Sequence, residues 1–325
     1  MAPIRIHPIL CNYHITTRCN ARCVFCNIYK EKNQSVNKKD VVENLAALKK
    51  IGIRFIDFTG GEPLLHPDLP EMLNTAKKLG FMTTVTTNCI LYPRHAHELR
   101  GLIDLLHFSL DAPSPKIHDR IRGVPCFHHV MESLTLAREL GEKPDILYTV
   151  NDTNVLVFPE MIQMAINLGL ILLVNPVFSY FGNPGISRNT LQTILHAGSQ
   201  PNVYINRGIL RLMKQGGNRP EQPRCRAVST TVVISPENQL LLPCYHKAVR
   251  RIPIQGKLEN LYHHPKVKIY NKRQGRFSFC DGCAISCYFD PSFTHGVDDF
   301  FLLSQMSKMK YLWNKYIRLR LLKSK

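Results

Sequence analysis

The sequence is short of three things, and each shortage narrows what the protein can be. It has no long apolar run: the longest uninterrupted stretch, 168–174, stops at Asn175 and Pro176, far below the roughly 20 residues of a bilayer span. Residues 1–10 (MAPIRIHPIL) include one Arg and two Pro and lack the apolar core of an export signal, so a cytoplasmic protein is expected. Acidic residues are scarce, with 24 Asp and Glu against 42 Lys and Arg, a net charge of +18. That excess implies an anionic partner: nucleic acid, a phosphate-bearing substrate or an acidic membrane surface.

What is present is globular. A 44% hydrophobic and 20% charged composition argues against global disorder, and 325 residues suffice for one large α/β core with a small appendage, or for two ordinary domains. Cysteine is the second anomaly. Eleven of them, an odd number in a compartment expected to be reducing, speak for thiolate ligands over disulfides. Cys19, Cys23 and Cys26 form one cluster and Cys280, Cys283 and Cys287 another, with Cys225 and Cys244 between them. Cys11, Cys89 and Cys126 stand alone and read as small apolar core residues.

From residue 9 to about 180, short β-rich runs alternate with helical ones, the signature of βα units and a mostly parallel sheet. The pattern predicts strands near 9–16, 53–59, 82–87, 105–110, 146–151 and 171–177. Between them lie helical stretches, most closed by a glycine such as Gly52, Gly80, Gly141 or Gly169, which suits helix C-caps. Six units describe a partial (β/α)6 TIM-like barrel over 1–181. Residues 182–223 weaken into Gly, Pro, Asn and Gln and read as a connecting segment. In 224–295 the run "AVSTTVVISPENQLLLPC" predicts a hairpin with its turn at 236–239.

The stretch "CNARCVFC" (19–26) sets three thiols on a loop directly after the first strand. Structural zinc sites close with four ligands, commonly two C-x2-C knuckles or Cys with His; here His14 lies inside the preceding strand and no second knuckle is near. Iron-sulfur clusters in electron carriers also take four cysteines, so three would leave one iron open for a substrate or cofactor. A zinc-stapled reading stays open beside the iron-sulfur one.

With Phe25 just before the last cysteine, this loop resembles the signature of the radical S-adenosylmethionine (radical SAM) enzymes, and "TGGEP" at 59–63 resembles their second motif. The resemblance implies a [4Fe-4S] cluster on Cys19, Cys23 and Cys26. Its open iron would chelate the amino and carboxylate groups of SAM, and an electron from a donor such as flavodoxin or ferredoxin would cleave SAM to a 5'-deoxyadenosyl radical. Gly60, Gly61, Glu62 and Pro63 would then grip SAM: glycines permit close approach, Pro63 stiffens the exit and a carboxylate pairs with an ammonium. "FSLDAPSPKIHDRIRG" resembles the family's fourth-strand segment, which implies Ser109 and Asp111 facing the ribose or carboxylate of SAM and Arg122 its carboxylate. Asn88 sits in "TTNC", where relatives usually carry Thr-Asn-Gly. Asn151 and Asn154 are further polar candidates after the fifth strand.

"SPENQLLLPC" and "FCDGCAISC" resemble the SPASM or shorter twitch extension, which binds auxiliary [4Fe-4S] clusters in one branch of that family. A full extension carries seven cysteines; five are present, which suits one cluster. Cys225, Cys244, Cys280 and Cys283 are the expected quartet and Cys287 an alternative ligand or a spare. Two departures are Gln239 at a position where relatives often have glycine and the final C-x3-C spacing. A zinc ion stapling a small domain is the competing reading of this region.

In 296–325, Leu302, Met306, Met309, Trp313, Tyr316 and Ile317 share one helical stripe with Lys308, Lys315 and Arg318 opposite, and from Ser304 onward there are seven basic residues and no acidic one. Such a helix suits an anionic membrane surface, giving a protein peripheral on the inner face of the membrane. Equally, it could pack its stripe on the barrel and leave its charges in water. The basic stretch 262–277 comes with no recognisable RNA-binding module, so nucleic acid is set aside. Together the readings give a radical SAM enzyme acting on an unidentified, anionic or membrane-associated substrate. The alternatives are a SPASM-type maturase of peptide or protein side chains, weakened by the mere ten residues before the first strand, and a zinc-stapled RNA-binding or scaffold protein. No general base is assigned, although Asp290, Tyr288 and His246 lie near the last cysteines in sequence.

Overall fold

The computed structural model describes residues 7–179, 183 and 185–319. Residues 1–6, the end of the basic tail (320–325), and 180–182 and 184 of the Gly/Pro-rich stretch lie outside the described residues. Six parallel strands carry the first half: β1 (Leu10–Thr16), β2 (Phe55–Gly60), β3 (Met82–Thr87), β4 (Leu105–Ser109), β5 (Asp145–Val150) and β6 (Leu172–Pro176), each paired with the next. These are the six predicted strands, with ends moved by no more than two residues. Helices α1 (Lys38–Ile51), α2 (Leu69–Lys78), α3 (Tyr92–Leu99), α4 (Pro115–Arg122), α5 (Phe127–Glu139) and α6 (Phe158–Leu168) follow the strands. Gly52 and Gly169 close α1 and α6 at φ of 101° and 64°, a backbone region open mainly to glycine.

Period-two alternation sorts the strand residues. In β1, Cys11, Tyr13 and Ile15 are fully buried and pack with α1 residues such as Leu45 and Leu48, so Asn12 and His14 face the concave interior of the barrel. In β2, Ile56 and Phe58 join that core and Asp57 faces inward. Asn12 and Asp57 are register partners and therefore stand side by side on the inner wall.

The sheet runs beyond six strands. The segment 182–223 contains α7 (Arg188–Ala197), β7 (Val203–Tyr204) and α8 (Arg207–Lys214), and β7 pairs with β6 in parallel. Two residues are too few to show periodicity. On the other edge, β8 (Thr231–Ile234) pairs in parallel with β1, and the predicted hairpin forms as β8 with β9 (Gln239–Leu242), followed by β10 (Arg250–Pro253). One ten-stranded sheet results, in the order β10-β9-β8-β1-β2-β3-β4-β5-β6-β7. Val232, Val233 and Ile234 are no more than 1% exposed, and burial stabilises each by roughly 1.5–3 kcal/mol, so the cysteine-bearing region is seated firmly against the barrel.

The C-terminal helix (Asp299–Leu312), capped by the Asp298 side chain, continues into a π-helical turn (Trp313–Arg318). Its orientation reverses the packing considered from sequence. Ser304, Ser307, Asn314 and Lys315 are buried, whereas Leu302, Met306, Met309, Leu312, Trp313 and Ile317 are exposed by 43–60%. The cause is Asp145, 1% exposed at the start of β5. Lys315 Nζ lies 2.7 Å from its Oδ2 and the Tyr311 hydroxyl donates to the same oxygen at 2.6 Å. A buried carboxylate demands a cation, which outweighs apolar contact here. Lys310 donates to the carbonyls of Gly198 and Gln200, and Arg318 donates to Asn202 Oδ1 at 2.6 Å. No described helix is long and apolar enough to cross a membrane.

Candidate functional site

The C-terminal ends of β1–β5 converge on the cysteine loop. Backbone bonds pin that loop to α4: Arg22 N–H donates to the Arg122 carbonyl at 2.9 Å and Val24 N–H to the Ile121 carbonyl at 3.0 Å. Thr17 Oγ1 ties its base, donating to the Lys32 carbonyl and accepting from Gln34 N–H. Cys19, Cys23 and Cys26 are free thiols, each partly exposed. Burial pushes the Cys19 thiol up to about 12, with Glu62, Cys23 and Cys26 adding repulsion, and it raises Cys26 as well. Bare thiolates are thus disfavoured here, and a bound cationic metal centre would invert that preference.

The spacing discriminates between metals. Among the described residues, the only three His, Cys, Asp or Glu side chains with ligand atoms all within 4.8 Å of one another are His118, Asp119 and Cys126. A single zinc ion at ~2.3 Å from each sulfur would hold them within about 3.8 Å of each other. Neither cysteine group is drawn in that tightly, and a cluster, whose cysteines ligate separate irons, accommodates a wider spacing. The His118 triad is internally committed: His118 Nδ1 accepts from Asp111 N–H, its Nε2 lies 3.3 Å from Cys126 Sγ, and Asp119 Oδ1 caps α5 through the N–H groups of Cys126 and Phe127.

The residues 60–63 serve the cysteine loop first. A Cβ on Gly60 would lie 2.0 Å from the Thr16 carbonyl oxygen, and one on Gly61 2.0 Å from that of Arg18, so both glycines exist to let β2 cross the loop backbone. Gly61 N–H and Glu62 N–H donate to those same carbonyls at 2.8 Å. Glu62 is 2% exposed; Oε2 accepts from Asn88 N–H at 2.8 Å and Oε1 from Leu64 N–H at 3.2 Å. Burial holds its carboxyl up at about 6. Asn88 Nδ2 donates to Asn20 Oδ1, inside the cysteine loop, at 2.7 Å. Cys89, where a glycine was the expectation, adopts φ 70° and keeps the turn, at a cost of roughly 1–2 kcal/mol.

Asp111 is fully buried and pairs with Arg122, Oδ2 to Nε 2.7 Å, while its Oδ1 accepts from Thr149 N–H. Arg122 Nη1 in turn reaches Cys23 Sγ at 3.7 Å, and its guanidinium stands 5.6 Å from the Phe25 ring centroid. Ser109 ends β4 with 5% exposure. Asn154 is committed to the backbone, donating to the Asp111 and Thr149 carbonyls. Asn151 accepts from Thr153 and Asn154 N–H.

The second cysteine region encloses a cavity of about 150 Å³ lined by Cys225, Cys244, Cys280 and Cys283 together with Tyr288. What assembles it was not visible in the sequence. Asn218, fully buried in the supposed connecting segment, donates through Nδ2 to the carbonyls of Gly275 and Cys280, and its Oδ1 accepts from Arg224 and Cys225 N–H. Beside it, a Cβ on Gly217 would lie 2.2 Å from the Gly282 carbonyl oxygen. Cys287, like Cys225, Cys244 and Cys283, packs against the apolar cluster of Ala227, Val233, Leu241, Ile285 and Tyr288, but does not line that cavity; after burial itself, the charge bearing most on its thiol is Asp57, inside the barrel. Asp290 turns away from the cysteines to bind Asn206 and Lys308 of the helical layer. His246 packs edge-on against Tyr288 and Tyr245, and Tyr245 stacks on His14 at 3.7 Å, bridging cavity and barrel interior.

Comparison with known proteins agrees with this architecture. Residues 13–165 match the model of the Radical SAM superfamily. That stretch is a radical SAM domain, of the kind that uses a [4Fe-4S] cluster and SAM. More particularly, a cysteine-bearing C-terminal region follows that domain on the same sheet. A probable GTP 3',8-cyclase of Saccharolobus solfataricus is 34% identical over 161 residues, covering 48% of this chain and 52% of the relative. One of Archaeoglobus fulgidus is 32% identical over 149 residues, 43% and 50% of the two chains. The chain therefore spans about half the length of these relatives. The fold resembles that of Streptococcus suis SuiB, solved with the precursor peptide SuiA (TM-score 0.61, 17% identity, 81% of this chain and 66% of that one). It also resembles anSMEcpe with bound AdoMet (TM-score 0.61, 15% identity, 97% and 99%).

Proposed function

We propose that this chain reductively cleaves SAM and abstracts hydrogen from a small substrate held inside the barrel. The observation that carries the reading is the N-terminal loop: three free, half-buried thiols that, among the described residues, form no tight four-ligand group. Cys19, Cys23 and Cys26 would hold one [4Fe-4S] cluster, and Cys225, Cys244, Cys280 and Cys283 a second. Bound there, cluster and SAM supply one-electron cleavage of the sulfonium and hydrogen-atom abstraction.

The chain's own residues set the stage. Arg122, held by Asp111, offers a cation beside Cys23 and faces the aromatic plane of Phe25, suiting it to a carboxylate and to the charge of the sulfur cage. Glu62 keeps lone pairs for the SAM ammonium while its hydrogen bonds fix the turn, and Gly60, Gly61 and Pro63 set its position. Asn88 and Ser109 supply the remaining polar contacts. Reconstitution under anaerobic conditions tests this: about eight irons per chain and formation of 5'-deoxyadenosine with a reductant or a flavodoxin or ferredoxin are expected, and a zinc-loaded protein inert toward SAM would refute it. Two substrate readings compete, a nucleotide as named for the cyclase relatives and a peptide as named for the SuiB structure.

We further infer peripheral attachment to an anionic membrane surface. The exposed stripe of Leu302, Met306, Met309 and Trp313, with the +18 net charge, supports it. Trp313→Glu with Met309→Glu should abolish co-sedimentation with phosphatidylserine vesicles; a concentration-dependent dimer lost in the same variant would assign the stripe to a second copy instead.

A further inference from the structure

The inner wall of the barrel shows an imbalance that no partner among the described residues corrects. Asp57 on β2, half-buried, points into the interior, and among the described residues no cation, N–H or O–H group meets its carboxylate; its removal from bulk water is the sole influence raising its protonation. Beside it in register, Asn12 is 4% exposed and its Oδ1 accepts no hydrogen bond. One step further along β1, His14 is 9% exposed with Nδ1 likewise unpartnered, and burial keeps the ring neutral. Tyr245, stacked on His14, and the Cys287 thiol close this space from the auxiliary side. The floor is sealed separately by Asp145, Lys315 and Tyr311.

Acceptors withdrawn from water without donors, fully as at Asn12 or partly as at Asp57, cost stability unless a ligand satisfies them. Here an uncompensated carboxylate and an amide oxygen stand adjacent, and none of the inward-facing residues of β1–β6 is Lys or Arg. The phosphates of a nucleotide would bring several negative charges and no donors to this wall.

We propose that Asp57 and Asn12 form the specificity wall of the substrate site and take a protonated amine of the substrate, so that the barrel selects an amine-bearing molecule over a nucleoside triphosphate. This rests on the proposed radical SAM reading, which places the substrate in the barrel interior, and of the two substrate readings it counts against the nucleotide.

The test uses the reconstituted holoenzyme and paired probes that differ in one group. Glucosamine should raise the Tm of the wild type at pH 7 where glucose at equal concentration does not, and Asp57→Asn should erase that difference. GTP should leave the wild-type Tm unchanged. Asp57→Asn should itself raise the Tm of the unliganded protein at pH 8 by a few degrees, with iron content per chain unaltered. A lower Tm for Asp57→Asn would make Asp57 a structural contact and overturn the proposal, as would protection by GTP or equal protection by both sugars. Failure of the wild type to bind iron or cleave SAM would instead strike the proposed function.

Discussion

The two thiol sites are built in opposite ways. Cys19, Cys23 and Cys26 come from one loop, held open at the end of β1 with Glu62 and Arg122 at its rim. The four C-terminal cysteines come from three separated stretches around one cavity, two of them tied together by Asn218. A local site leaves a corner free and can admit a ligand; an assembled one spends its backbone on enclosure. The same contrast predicts different failures when each is damaged.

The largest effect is expected from Cys23→Ala, which should remove about four of about eight irons and abolish 5'-deoxyadenosine formation while leaving the auxiliary absorbance; iron assay and product chromatography check it. Asn218→Ala should do the reverse, losing the auxiliary irons and destabilising the protein by roughly 2–4 kcal/mol through four lost buried hydrogen bonds, as seen in chemical denaturation. Retention of full iron content in that variant would break the comparison.

Smaller effects sharpen it. Asp57 titrates at about 7 in the fold against 3.8 for an ordinary carboxyl, so the folded protein holds that proton more tightly than the unfolded chain. The resulting penalty is missing below about pH 4, grows as pH rises and is complete above about pH 7. The Tm advantage of Asp57→Asn should follow that course, shrinking to nothing in acid. Cys287→Ser should have the least effect on iron, leaving about eight per chain; a loss of about four would move Cys287 into the ligand set.

Much of this was legible in sequence because the features are local. Glycine-stopped helices and β-rich runs located β1–β6, and three cysteines within eight residues announced a site. The hidden parts depend on the fold. Asn218 sits in "KQGGNRPEQPR", whose composition says loop and conceals a buried tether. Asp57 in "FIDFTG" obeys strand alternation like any solvent-facing acid, and only closure of the barrel makes it an interior charge. The periodicity of the C-terminal helix defined its two faces correctly, but which face turns inward was decided by Asp145, more than 150 residues away.

The pairing of β8 with β1 carries a kinetic corollary. Because β8, which follows Cys225, is hydrogen-bonded to β1, which leads into the cysteine loop, the gap between the two cysteine regions is spanned by one continuous sheet. Electron passage across it would respond to substitutions that loosen this seam, such as Val233→Gly, even though no sulfur, cofactor contact or charge is altered.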